Sequence, residues 1–100
     1  MHNQQFLDEG RTQIETQIRA MPRQFLADAF CADFERNYPA LYEQFVGMYT
    51  SRGHDRPHAI QSVHAQLMST VNTCFGHLTH KVATVQNPKG GDMSAWERVD

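Results

Sequence analysis

No stretch of this 100-residue chain approaches the roughly 20 consecutive apolar residues that a membrane-spanning helix needs. The opening residues, Met1-His2-Asn3-Gln4-Gln5, lack the basic-then-apolar layout of a secretory leader, so a cytoplasmic protein without a membrane partner is expected. Cysteine is scarce: the only two, Cys31 and Cys74, sit inside apolar helical patterns, which argues for reduced, buried thiols and against a disulfide framework. Basic charge is scarce as well. Nine Lys and Arg against eleven Asp and Glu give a formal charge of −2, and the pI is about 6.3. Nucleic-acid binders usually carry a basic patch and a pI above about 9, so this balance argues against a nucleic-acid partner. Alternation of polar and apolar residues is too short-lived for a half-buried strand, and the β-branched residues look dispersed. An all-α fold is therefore expected, a small helical bundle of about four helices with one long C-terminal helix and a short tail. A chain of this length buries only about 60–70% of its unfolded surface, which allows one core and a single domain over 1–100.

Proline and glycine divide the chain at Met21-Pro22, Tyr38-Pro39, Gly53 to Pro57 and Asn87 to Gly91. The first block, Gln4 to Met21, places Leu7, Ile14, Ile18 and Met21 on one narrow seam, with Arg11, Glu15 and Arg19 opposite as i,i+4 pairs. So thin a stripe, interrupted by Gly10, predicts a loosely docked first helix over 1–21. The second block, Arg23 to Arg36, carries Phe25, Leu26, Ala29, Phe30, Cys31 and Phe34 over more than half its circumference, which predicts the core helix. The third, Pro39 to Arg52, aligns Leu41, Tyr42, Phe45, Val46 and Tyr49.

The fourth block starts from Asp55 as N-cap, with Pro57 in the first turn. From Ile60 through Val63, Leu67, Val71, Phe75 and Leu78 to Val82 and Val85, apolar residues recur at three- and four-residue steps. As one helix it would run about 40 Å, against about 20 Å for each of the two before it. Its other face holds no Asp, Glu, Lys or Arg from Pro57 to His80. An uncharged face on a helix that outreaches its neighbours predicts a homodimer, with Leu78, Val82 and Val85 as the self-association seam.

After Val85 a loop over 86–92 leads to a tail over 86–100, in which Ser94 and Glu97 have capping-box spacing around the single Trp96. Six His invite a metal reading. Cys74, His77 and His80 on one helix point in diverging directions, so a zinc site would have to combine helices, such as His77 with His54 or His58. No metal or cofactor is therefore expected from the spacing itself. His64 lies inside the apolar arc and is expected as a neutral core imidazole or a pH-sensitive interface residue. No nucleophile elbow, His-Glu-x-x-His or phosphate loop is present, and Lys89-Gly90-Gly91 lacks Walker spacing, so no catalytic residue is assigned.

The expected function is that of a small non-enzymatic protein-protein interaction protein, a regulator or inhibitor that occupies a surface of a larger partner. Arg52, His54, Arg56 and Trp96 are the candidate partner contacts; a lone Trp in a short tail is more often a plug that docks the tail onto its own domain than a contact for another protein, and both readings expect a buried indole. Small chains of this build and without motifs suggest a phage or mobile-element anti-defence role of the anti-CRISPR kind. The alternatives are a His/Cys metal-binding helical module and a dimeric nucleic-acid-binding regulator.

Overall fold

The computed structural model describes residues 2–86 and 92–99, with side chains from Gln4 onward. Four helices, α1 (His2–Ala20), α2 (Ala27–Asn37), α3 (Pro39–Thr50) and α4 (Arg56–Cys74), pack against a sheet of β1 (Gln24–Leu26), β2 (Thr79–Gln86) and β3 (Asp92–Arg98). The sheet is antiparallel with order β1-β3-β2, so the last strand in sequence is the central one. Phe25 pairs with Trp96 on one side of β3, and Lys81 pairs with Trp96 on the other. No helix among the described residues is long and apolar enough to cross a membrane.

The sheet overturns the all-α expectation, and the fold is mixed α/β. The long fourth helix stops at Cys74, and 79–86 is a strand instead of its last turns. Leu78, Val82 and Val85 satisfy a helical step, but a step of four also satisfies a strand's period of two, so periodicity over so short a run does not discriminate. Gly76 in the turn and the β-branched density of Thr79, Val82, Thr84 and Val85 favour the strand. In the tail, Ser94 and Glu97 do not cap a helix; both lie in β3. The second block likewise begins one element late: Gln24–Leu26 is a strand and the helix starts at Ala27. The loop expected over 86–92 falls largely on 87–91, outside the described residues.

The two longest helices, α1 and α4, have 19 residues each, about 28 Å at the helical rise. At about 28 Å instead of about 40 Å, α4 matches α1 and exceeds α2 and α3, of 11 and 12 residues, by only about 10–12 Å. Asp55 caps it as its place before Pro57 implies, with its Oδ1 accepting the His58 backbone N–H at 2.9 Å. The first helix packs into the core. Phe6, Ile14 and Ile18 are fully buried, and Gly10 leaves helical geometry (φ −148°, ψ 25°) where the chain closes on Leu41 and Phe45. A Cβ at Gly10 would lie 2.7 Å from Leu41 Cδ2, so glycine is what admits this approach.

One core runs through all layers. A file of aromatic rings links them: Phe25 of β1 to Phe30 and Phe34 of α2, then Phe45 of α3, then Phe6 of α1. Ala59, Val63, Leu67 and Val71 form the buried stripe of α4. The carboxyl end of the chain is tied across the fold as well. The Arg98 backbone N–H donates to Arg23 O at 2.8 Å, and the Val99 N–H donates to Leu78 O at 2.9 Å.

Candidate functional site

The buried stripe of α4 fixes what the rest of that helix shows. With Val63, Leu67 and Val71 inward, Gln61, Ala65, Ser69, Asn72 and Thr73 are exposed on the opposite side. None of these is charged. The run without Asp, Glu, Lys or Arg thus reaches the surface at these positions, on a helix that ends at Cys74 and not at Val85.

Beside this row, α4 meets the start of α2 and of β3 in an open cleft of about 270 Å³. Asp28, Cys31, His64, Met68, Met93 and Ser94 are among its walls. His64 is half-buried, and its Nε2 lies 2.8 Å from the Tyr42 hydroxyl of α3. Tyr42 is buried, and burial first, then the nearby carboxylate of Glu35, push its hydroxyl up to about 12, so it stays protonated. A neutral His64 ring accepts from that hydroxyl or donates to it according to tautomer. The pairing replaces the backbone carbonyl that a core imidazole usually finds.

The cleft brings Cys31, His64 and Asp28 to one place, which are the residue types of a nucleophile, base and orienting acid. Their states oppose that use. Burial, reinforced by Asp28, pushes the Cys31 thiol up to about 12, so almost no thiolate forms near neutrality. The arrangement suits a shaped, partly apolar recess better than a reaction centre.

Burial holds the His64 imidazole below its ordinary value, although Asp28 and Glu35 pull the other way. Asp92 of β3 lines the same cleft, and Tyr42 and Cys31 face it from α3 and α2. The folded protein thus resists a proton that the unfolded chain accepts near 6.5. The linkage is absent while both states are neutral, and stability falls as pH drops below that value toward the folded pKa. Urea midpoints measured at about pH 7.5, 6.5 and 5.5 should decline more steeply for wild type than for His64→Gln. Parallel declines would remove His64 from the pH response.

The other sequence candidates scatter. Arg52, His54 and Arg56 gather at the turn between α3 and α4, away from the sheet. There Arg56 grips Glu43 with two bonds, Nη1 to Oε1 at 2.9 Å and Nη2 to Oε2 at 2.7 Å. That fork holds the Glu43 carboxyl below the usual range. Trp96 does not join them. It is 2% exposed and its Nε1 donates to Ser94 Oγ at 2.8 Å, so the indole packs into the core rather than toward a partner.

Leu78, Val82 and Val85 form no helical seam. Leu78 is half-buried in the turn after α4, Val82 sits at the β-bulge between Lys81 and Ala83, and Val85 pairs with Met93 in β2. A dimer built on an extended fourth helix loses its geometric basis. The cross-helix zinc combinations fail too: His77 and His80 lie beyond the C-terminal end of α4, whereas His54 and His58 flank its N-terminus. Among the described residues no group of three or more metal-ligating side chains is assembled. What sequence reasoning missed is the Tyr42–His64 pair and the Cys31 wall of the cleft. Residues 22 positions apart on different helices leave no signal in spacing alone.

Comparison with protein-family models, curated proteins and solved structures finds no match to this chain.

Proposed function

We propose that this chain is a non-enzymatic protein that acts by binding a larger protein partner and occupying one of its surfaces, as a regulator or inhibitor. The contact is the outward row of α4, Gln61, Ala65, Ser69, Asn72 and Thr73, together with the adjoining cleft. The observation that carries this reading is the exposure of that row in a stretch without a charged residue from Pro57 to His80. Elsewhere the exposed helical surfaces carry ion pairs in the ordinary way, such as Arg19 with Glu15 on α1. Interface centres are depleted in charge relative to the rest of a protein surface. The protonated, buried thiol of Cys31 further favours binding over turnover.

The test is a pair of exposed substitutions, Ala65→Arg with Ser69→Arg. Both sites face solvent, so stability should move by no more than about 0.5 kcal/mol. Proteins retained from an extract of the source cells by immobilised wild type should be lost with this variant and kept by Arg11→Glu on α1. Retention of the same proteins by the double variant, or of none by wild type, would remove the α4 face as the contact.

A further inference from the structure

The turn before α4 places two imidazoles side by side. His54 and His58 have ring centroids 4.7 Å apart with planes tilted by 48°. Their backbones are held independently of each other. Gly53, at φ +96°, turns the chain in a conformation that favours glycine. The His54 N–H donates to Tyr49 O at 3.3 Å, and the Tyr49 ring lies 6.1 Å from the His54 ring. The His58 N–H donates to Asp55 Oδ1, and Pro57 stiffens the first turn between them.

We propose that His54 and His58 together form a two-imidazole site for a borderline divalent transition-metal ion of the zinc class. Zinc–nitrogen bonds are about 2.0–2.1 Å, and an imidazole centroid lies about 1.1 Å behind the ligating nitrogen. Two rings sharing one ion at an N–metal–N angle of roughly 90–110° therefore have centroids about 4.5–5.2 Å apart. The observed 4.7 Å falls in that interval. The tilt prevents flat stacking, and the broad χ2 torsion of histidine allows one nitrogen of each ring to turn onto a shared ion.

The surroundings permit a cation. Arg56, between the two histidines in sequence, is forked onto Glu43, so its charge is compensated locally. The Asp55 carboxylate is engaged as the helix cap. The site thus supplies two imidazole nitrogen donors, and water completes the coordination, as no third protein ligand is assembled among the described residues. Neutral imidazole suits zinc, nickel and copper, and not magnesium or calcium, which take oxygen.

The experiment is a calorimetric titration of zinc chloride into the metal-free full chain near pH 7.5, with the histidine ring signals followed by NMR. One zinc per chain should bind, shifting the signals of His54 and His58 and leaving those of His77 in place. His54→Ala and His58→Ala should each weaken binding by at least about tenfold, the scale at which even supporting residues of metal sites act. His77→Ala and His2→Ala should leave the affinity unchanged. Magnesium chloride in place of zinc should give no heat and no ring shifts. The ring signals of wild type provide a readout that does not depend on any variant folding. Absence of zinc uptake below millimolar concentration, shifts centred on other histidines, or an equal loss in His77→Ala or His2→Ala would overturn the site.

Discussion

Phe30→Ala is expected to destabilise the protein by about 3–5 kcal/mol, the range for truncating a fully buried phenylalanine. Phe30 is 0% exposed, with its ring centroid 6.0 Å from that of Phe25 and 6.3 Å from that of Phe34. It stands between Phe25 and Phe34 in the file of rings that joins β1 to α2, α3 and α1. A void there has neighbours on every side, and each of them is itself held by another layer, so collapse to fill it is restricted. Domains of this kind have a total stability of only about 5–15 kcal/mol, so the loss is a large share. At this size each kcal/mol corresponds to roughly 4–8 °C, so the melting temperature should drop by at least about 12 °C. Urea denaturation gives the direct measure. A change below about 1 kcal/mol would mean that Phe30 is not packed as described.

Trp96→Ala should produce a loss of similar size, about 3–5 kcal/mol, through a different connection. Trp96 lies on the central strand, paired with Phe25 of β1 and Lys81 of β2, and its buried indole belongs to the same hydrophobic core as the helices. Trp96→Phe keeps most of the buried ring but removes the bond to Ser94 Oγ, and should cost only about 1 kcal/mol from that bond. The contrast separates two roles for this residue. A core pin loses stability in proportion to the volume removed, whereas a partner contact would lose binding and leave the melting temperature in place. Because this is the single tryptophan, wild-type fluorescence should be blue-shifted when folded and move to the red on unfolding. Native emission at the wavelength of exposed indole would refute its burial.

Most of the helical part of this protein is legible in its local sequence, although the fourth helix ends at Cys74 and not at Val85. The apolar steps of Ile14 and Ile18, of Phe30 and Phe34, of Tyr42, Phe45 and Val46, and of Val63, Leu67 and Val71 each mark a face that is buried. Asp55 before Pro57, and Pro39 after Tyr38, mark helix starts through capping and the fixed φ of proline, which are local effects. The absence of charge along α4 and the four-residue spacing of His54 and His58 are readable in the sequence, since neighbours on one helix or turn need no distant partner to be placed. The strands depend on segments far away in the chain. Thr79–Gln86 is compatible with either period, and it becomes a strand because Asp92–Arg98 offers a backbone ladder on one side. Gln24–Leu26 is a strand only because β3 comes back to pair with it across more than 60 intervening residues. A helix satisfies its hydrogen bonds within itself, so its sequence suffices to announce it. A strand satisfies them on another segment, and neither the segment nor the contacts that follow from it, Trp96 under the sheet or Tyr42 against His64, are written in the strand's own residues.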